Sequence, residues 1–321
     1  MSAGWLIGID GGGTGCRALI AAADDAAQGR AFEGKAGPAN PKPVGVEAAQ
    51  KAMKEAIAAA FAAAGEVPIK ASALVAAVAG IGRENEQREF EAWALDEGIG
   101  SQVRFVGDAT AVLAAGRPEG WGLAAISGTG SMAFGVDPKG RTARAGGWGY
   151  LLGDEGSGYK IAVEGLQLAC RAADRIASAP LLLERLMKHV GANEPRELVG
   201  TLYGPDWTRR RIADLARVVL EVAPDEPAAM VVVDAEAAAL VDSIAAVARQ
   251  LPAIDRSAAI SLAGGVGTGS PLFQRLLVAK LAEREFKEPR LALVPNPVIG
   301  ALRLAAALAR GEANPLLKHG S

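Results

Sequence analysis

Twice in this chain an apolar strand runs into a glycine-rich turn and returns as a second apolar strand. LIGIDGGGTGCRALI lies near the start, and LAAISGTGSMAFGV follows 117 positions later, counted from Asp10 to Ser127. Glycine turns expose backbone N–H groups without side-chain cover, so each is a potential nest for an anion. Around both turns strand-like and helix-like segments alternate, which argues for an α/β fold. The shared design predicts a duplicated α/β domain, each copy opening a lobe of comparable size. Arg117-Pro118-Glu119-Gly120 reads as the boundary, dividing the chain into 1–118 and 119–321.

Composition narrows the function classes. The chain has 321 residues, enough for two domains at ~100–200 residues each. Lys and Arg number 34 against 36 Asp and Glu, giving −2, which argues against a nucleic-acid partner. Hydrophobic residues at 50% exclude a disordered chain. The start MSAGWLIGID has no basic leader region, and no long apolar run spans a membrane, so a cytoplasmic protein is expected. Two cysteines and two histidines leave little room for thiolate, metal-cluster or imidazole chemistry. Glycine is in excess: 40 residues, where usual composition gives about 22. Four loops hold 17 of them: five in 8–15, two in 128–130, six in 146–158 and four in 264–269. These loops are read as ligand-facing backbone.

The expected elements follow the periodicity. Strands are read at Trp5–Asp10, Arg17–Ala23 and Arg30–Gly37, with a turn at Asp24–Gly29. Val46–Ala64 and Asn85–Glu97 are helices, and Ala73–Ala79 and Val103–Val106 strands. A short helix follows at Ala109–Ala115. After the boundary come strands Leu123–Ile126 and Met132–Val136. Helices are read at Tyr159–Ile176, Leu181–His189, Arg209–Glu221 and Pro227–Gln250. The strand Ala258–Ala263 leads through a Gly-Gly turn to a helix begun by Ser270 and Pro271. A last strand at Arg290–Val294 precedes a helix over 297–310, capped by Asn296 and stopped by Gly311.

Several acidic residues stand beside these loops. Asp10 ends a strand before the glycines, where a carboxylate tolerates phosphate only with a cation between them; Mg²⁺ is the natural partner, and turn capping the alternative. Asp108 ends the strand VRFVG and begins a helix. Helix N-capping is the plain explanation, and a general base for a hydroxyl nucleophile is the functional one. Asp154, in GGWGYLLGDEGSG, either caps the next helix or holds ligand hydroxyls. GTGCRA matches the dinucleotide fingerprint, but that motif needs a helix directly after it. No G-x-x-x-x-G-K-[ST] occurs, so P-loop chemistry is excluded.

Taken together, GIDGGGT, GDATA, SGTGS, GGWGYLLGDEGSG and LAGGVG resemble the BadF/BadG/BcrA/BcrD ATPase family over residues 5–310. The closest likeness is to its N-acetylglucosamine kinase and glucosamine kinase branch. The resemblance implies a two-lobed actin/hexokinase/Hsp70-like (ribonuclease H-like) ATPase fold around a nucleotide cleft, with the helix at 297–310 packing back on the N-terminal lobe. It implies ATP and Mg²⁺ as cofactors, with phosphates held by Gly11, Gly12, Gly13 and Thr14 and by Gly128, Thr129 and Gly130. Gly264, Gly265 and Gly269 fall at the adenosine loop, and Asp10 coordinates Mg²⁺ through water. Asp108 takes the proton of the sugar hydroxyl. Asn40, Ser131, Met132, Gly147, Trp148, Gly149 and Asp154 complete the substrate contacts.

Met132 departs from the pattern, since mammalian N-acetylglucosamine kinases carry an Asn there. A thioether lacks the amide's donor and acceptor, which keeps glucosamine open as substrate. The implied activity is transfer of the ATP γ-phosphate to the 6-hydroxyl of an amino sugar by a homodimeric kinase. The alternatives are a glucosamine kinase and an ATPase activator of the 2-hydroxyacyl-CoA dehydratase type. The activators hold an iron–sulfur cluster with cysteines, whereas Cys16 and Cys170 read as small buried hydrophobes. A cytoskeletal or chaperone-like member acting through protein partners is the third reading, and length argues against the chaperone type, since no peptide-binding domain is expected after the nucleotide lobes.

Overall fold

The structure is a computed structural model that describes residues 4–23, 30–284 and 286–318; the expected turn at Asp24–Gly29 lies outside them. In chain order, β1 (Trp5–Gly11), β2 (Cys16–Ala22) and β3 (Phe32–Ala36) precede α1 (Pro41–Val44) and α2 (Val46–Ala63). Then come β4 (Ala71–Val78), α3 (Glu84–Asp96), β5 (Gly100–Val106) and α4 (Asp108–Gly116). β6 (Gly122–Ser127), β7 (Ser131–Val136) and β8 (Thr142–Gly146) follow. Next are α5 (Gly158–Ala173), α6 (Pro180–Val190), α7 (Glu197–Leu202), α8 (Arg209–Asp214), α9 (Ala216–Val222) and α10 (Pro227–Gln250). β9 (Ile260–Ala263), α11 (Gly265–Gly269), α12 (Pro271–Glu283), β10 (Leu291–Leu293) and α13 (Val298–Ala309) complete the order.

The first sheet runs β3-β2-β1-β4-β5 and the second β10-β9-β6-β7-β8. Read from its other edge, the second is β8-β7-β6-β9-β10. Each half therefore places its third, second, first, fourth and fifth strands side by side in the same order. The duplication written in the two hairpins is present in the topology.

Two compact units result. One comprises residues up to Ala124, Gly135–Ala143 and the residues from Asn296 on; the other comprises Ala125–Phe134 and Arg144–Pro295. The division is not the single cut at 118 expected from the Pro-Gly boundary. β6, β7 and β8 run through it, so the Gly128–Gly130 tip falls in one unit and the Asp137–Gly140 turn in the other.

In the first unit, strand alternation decides what covers each face. Ile7 and Ile9 point into a cluster with Met53, Ala56 and Phe61 of α2. Gly8, between them, faces the other way, and a Cβ there would lie 2.3 Å from the Leu302 backbone nitrogen. That glycine lets α13 lie directly on β1, and Gly300 does the same for α13 on α4, where a Cβ would sit 2.0 Å from the Ala111 oxygen. Of the glycines counted as ligand-facing, Gly8 is therefore a packing residue. α13 stops at Gly311, with φ +65°, as the sequence indicated. Its start differs: Pro297 is the cap residue, and Asn296 instead accepts from the Arg17 guanidinium at 3.3 Å.

In the second unit, α10 buries Val233, Ala237, Leu240, Val241 and Ile244, the spacing of one helical face. α5, α9 and α12 pack against this helix. The helix expected over Arg209–Glu221 is broken into α8 and α9 at Leu215. α1, α7 and β8 were not anticipated; each is only four to six residues long, too short for a periodic signal. Among the described residues no helix is long and apolar enough to cross a membrane.

Candidate active site

β1, β4 and β5 are parallel, so their carboxyl ends share one edge of the first sheet, where ligands of open α/β sheets gather. Asp10 is the penultimate residue of β1, and Asp108 follows β5 as the first residue of α4. Burial, and after it the Asp108 charge, raise the Asp10 carboxyl to about 6 against the pull of its cross-strand partner Arg17. Two carboxyls that repel in this way favour a cation between or beside them. Gly107 occupies the cap position of α4, and Asp108 is one residue inside, its Oδ1 accepting the Ala109 N–H at 3.0 Å. The capping alternative is thus displaced by one residue.

The first hairpin follows Asp10 directly in sequence. Gly12 N–H donates to Gly15 O at 2.9 Å and closes the turn. Gly11 O accepts from Ala79 N at 2.8 Å, and Gly12 O from Ala39 N at 3.0 Å and Asn40 N at 3.2 Å. The carbonyls are thereby engaged with the end of β4 and the loop before α1, while Gly13 and Thr14 are exposed at the tip. A Cβ at Gly13 would meet nothing within 4 Å. The protein's own packing does not require glycine there; an anion drawn up to the N–H groups would.

Asn40 caps α1, its Oδ1 accepting from Lys42 N at 3.0 Å. Asn40 is thus a cap residue whose backbone is tied to the first glycine turn. Cys16, which ends that turn, is buried and its thiol is pushed up to about 12, mainly by burial and then by Asp10. Such a thiol is inert toward thiolate chemistry at neutral pH. Cys170 is exposed on α5.

The second unit holds the other glycine loops. Gly128 N–H donates to Gly130 O at 2.9 Å, a turn one residue tighter than the first. Gly264, at φ +93°, lies so close to it that a Cβ would be 2.3 Å from the Ser127 carbonyl carbon. Close packing is therefore the role of Gly264, whereas Gly265 and Gly269 have nothing within 4 Å of an added Cβ. The expected Gly-Gly turn into one helix is corrected here. GVGTG forms its own short helix, α11, whose carbonyls Gly267 O and Thr268 O accept from Gln274 at 2.9 and 3.1 Å. α12 then begins at Ser270, as read from the sequence, with its hydroxyl accepting from Phe273 N.

Asp154 is buried at 3% exposure and adopts φ +66°, rare for a residue with a side chain. Ser157, not Asp154, caps α5. The Asp154 carboxylate pairs with Arg209 and accepts from Ser131 N–H at 3.4 Å. Burial raises its pKa, while Ser131 N–H and then Arg209 oppose that shift. Arg209 also stacks over Tyr150 at 5.0 Å and Tyr159 at 5.8 Å. Sequence reading missed Arg209, since nothing in the run Arg209-Arg210-Arg211 marks which guanidinium turns inward.

Ser131 donates its hydroxyl to Glu155 O at 2.6 Å, so its proton is used within the protein. Gly147 N–H donates to Ser131 O at 3.1 Å, and Met132 Cβ lies 3.4 Å from where a Gly147 Cβ would be. Gly149, at φ +82°, follows the exposed Trp148, and Thr129 stands at the tip of the second turn. Asn40, Asp10 and Asp108 thus gather in the first unit. Ser131, Met132, Gly147 and Asp154 gather in the second.

Among the described residues no group of three or more His, Cys, Asp or Glu side chains is arranged to hold a metal ion. Mg²⁺ does not need one: it keeps several waters and takes one or two carboxylates plus substrate phosphates, which Asp10 and Asp108 fit.

The chain is similar to known proteins along most of its length. It is 31% identical over 215 residues to an N-acetylmuramic acid/N-acetylglucosamine kinase of Clostridium acetobutylicum, covering 67% of this chain and 69% of that one. It is 28% identical to an N-acetyl-D-glucosamine kinase of Dictyostelium discoideum, covering 95% of this chain and 98% of that one. A solved structure from Chromobacterium violaceum, described as a candidate N-acetylglucosamine kinase, superposes with a TM-score of 0.76 at 27% identity. It covers 95% of this chain and 100% of that one. The architecture is the duplicated actin/hexokinase/Hsp70-like α/β fold. With the family pattern matched from residue 7 to residue 305, the chain belongs to the BadF/BadG/BcrA/BcrD ATPase family.

Proposed function

We propose that this chain is an ATP-dependent amino-sugar kinase that transfers the γ-phosphate to the 6-hydroxyl of N-acetylglucosamine. The observation that carries the proposal is the pair Asp10 and Asp108 at the carboxyl edge of β1 and β5, beside a hairpin tip whose glycine is open. Phosphoryl transfer is mainly positioning and charge stabilisation, so amides, a cation and one base suffice. Asp108 accepts the proton of the attacking hydroxyl. In the turns Gly11–Thr14 and Gly128–Gly130, the N–H groups of Gly13, Thr14, Thr129 and Gly130 cradle phosphate oxygens, and the open backbone at Gly265 and Gly269 meets the adenosine. Mg²⁺, held by Asp10 through water, supplies neutralising charge for the phosphates. Asp154 accepts a sugar hydroxyl, and Asn40, Gly147 and Trp148 bound the sugar. The names of the relatives from C. acetobutylicum and D. discoideum support the sugar class.

A coupled ADP-release assay across N-acetylglucosamine, glucosamine, N-acetylmannosamine, N-acetylmuramic acid and glucose tests this. N-acetylglucosamine is expected to give the highest kcat/KM, and ADP release indifferent to every sugar would overturn the proposal. Asp108→Asn should keep sugar and ATP binding while kcat falls about 10²–10⁴-fold, the usual worth of a general base. Light scattering tests the accompanying expectation of a homodimer.

A further inference from the structure

The segment from Asp154 to Gly158 is bolted to the second hairpin by neutral hydrogen bonds. Ser127 Oγ donates to Gly156 O and Ser131 Oγ to Glu155 O, both at 2.6 Å, and Gly158 N–H donates to Gly128 O at 2.7 Å. One further tie is of a different kind. Gly156 N–H donates to Glu236 Oε2 at 2.5 Å, from a helix 80 residues away in sequence. Glu236 is 4% exposed in the middle of α10 and is hydrogen-bonded to Glu164 of α5. A hydrogen bond between two carboxyls requires a proton on one of them. Gly156 itself is wedged onto α10: at φ +79°, a Cβ would lie 2.5 Å from Leu240 Cβ.

We propose that Glu236 and Glu164 are positioning residues for the sugar site. With one proton shared between them they hold Gly156, and thereby Asp154, in place; without it the pair repels and the tie loosens. The inference rests on the kinase assignment and on Asp154 meeting the sugar. The Glu236 carboxyl is raised to about 7, mainly by burial; Gly156 N–H opposes the rise, the Glu164 charge and hydrogen bond support it, and Lys160 opposes it. Asp234 pairs with Lys280 and Asp242 with Arg284, both on α12. Those aspartates lie two and six positions from Glu236, on other faces of the helix. On α9, Arg217 and Glu221 pair with each other. Glu155, adjacent in the loop, is exposed.

The test compares wild type, Glu236→Gln, Glu164→Gln and Glu236→Leu in sugar-dependent ADP release from pH 5.5 to 8.5. Wild-type sugar KM should rise with pH as the shared proton is lost, with kcat changing less. Glu236→Gln keeps an acceptor for Gly156 and has no proton to lose, so its KM should stay near the low-pH value throughout. Glu164→Gln should behave likewise. Glu236→Leu leaves Gly156 N–H buried and unpaired, and its sugar KM should be raised about tenfold at every pH. A Glu236→Gln profile that tracks wild type, or a wild-type KM in Glu236→Leu, overturns the proposal. Amide exchange over 154–158 reads the same tie without catalysis. Exchange should be faster in Glu236→Leu than in Glu236→Gln, and equal rates overturn the proposal. If wild type releases no ADP in response to any sugar, the kinase assignment fails on its own, while the exchange comparison still decides the tie.

Discussion

The two glycine hairpins occupy the same place in sheets of the same strand order, yet the residue before the glycines differs. In the first it is Asp10, whose carboxyl is raised to about 6 by burial and by a second carboxyl. In the second it is Ser127, fully buried, its hydroxyl donated to Gly156 O at 2.6 Å. The first hairpin carries an unfavourable charge at the sheet edge, and the second a satisfied neutral tie. A duplicated fold can thus divide labour: one copy retains unfavourable electrostatics at its sheet edge, and the other becomes the frame on which the 154–158 segment hangs.

Exchanging that contrast gives the largest expected effect. Asp10→Asn should lower kcat by about 10²–10³-fold, because cation placement is worth several kcal/mol. The same variant should be more stable than wild type without ligand at pH 8. A carboxyl raised in the folded state contributes stability below its unfolded pKa and loses it as pH rises through the folded value. Wild type therefore loses stability from Asp10 between about pH 4 and the value near 6. The gain at pH 8 should be about 2 kcal/mol once partial exposure is allowed for. Chemical denaturation at pH 4 and pH 8 checks this, and an equal effect at both pH values would contradict it. Ser127→Ala makes the opposite statement. It should destabilise by about 1–3 kcal/mol, by leaving Gly156 O without its hydroxyl donor, and leave Mg²⁺ dependence unchanged.

Glycines sharpen the same comparison. Gly264→Ala would place a Cβ 2.3 Å from backbone, at φ +93°, and should lower stability by about 2–4 kcal/mol or prevent folding. Gly13→Ala meets open space and should change stability by less than about 1 kcal/mol. Its ATP KM should nevertheless rise several-fold, about 1 kcal/mol in binding. Thermal melts beside ATP titrations separate the two, and an unstable Gly13→Ala with normal ATP affinity would reverse their assigned roles.

Why some of this was legible in sequence follows from range. Hairpins, strand ends and Asp10 and Asp108 are local patterns, with strand, glycine and acid adjacent in the chain. The glycine excess was also legible, but not its division of use. Gly8, Gly156, Gly264 and Gly300 are demanded by Leu302, Leu240, Ser127 and Ala111, partners between 84 and 294 positions away. Arg209 and Glu236 were invisible for the same reason, since each acquires its role from a loop 55 and 80 positions distant. Composition located where glycine matters; only tertiary contact tells a packing glycine from an open one.

The smallest effect concerns Met132, at the start of the strand that returns from the second hairpin. Its Cβ lies 3.4 Å from a Cβ position at Gly147, and its Sδ 3.9 Å, so it lines the loop that carries Trp148. A thioether offers only weak acceptance, so an N-acetyl carbonyl gains no donor from it and an ammonium no strong acceptor. Discrimination between acetylated and free amino sugars should therefore be shallow in wild type. Met132→Asn adds an amide of similar reach. One added neutral hydrogen bond, about 1 kcal/mol, should raise the N-acetylglucosamine to glucosamine ratio of kcat/KM about fivefold, with stability little changed. The ratio is read in the same coupled assay under competing substrates. If it does not move, acetyl recognition belongs to the backbone of Gly147 and Gly149, and Met132 serves only to pack that loop.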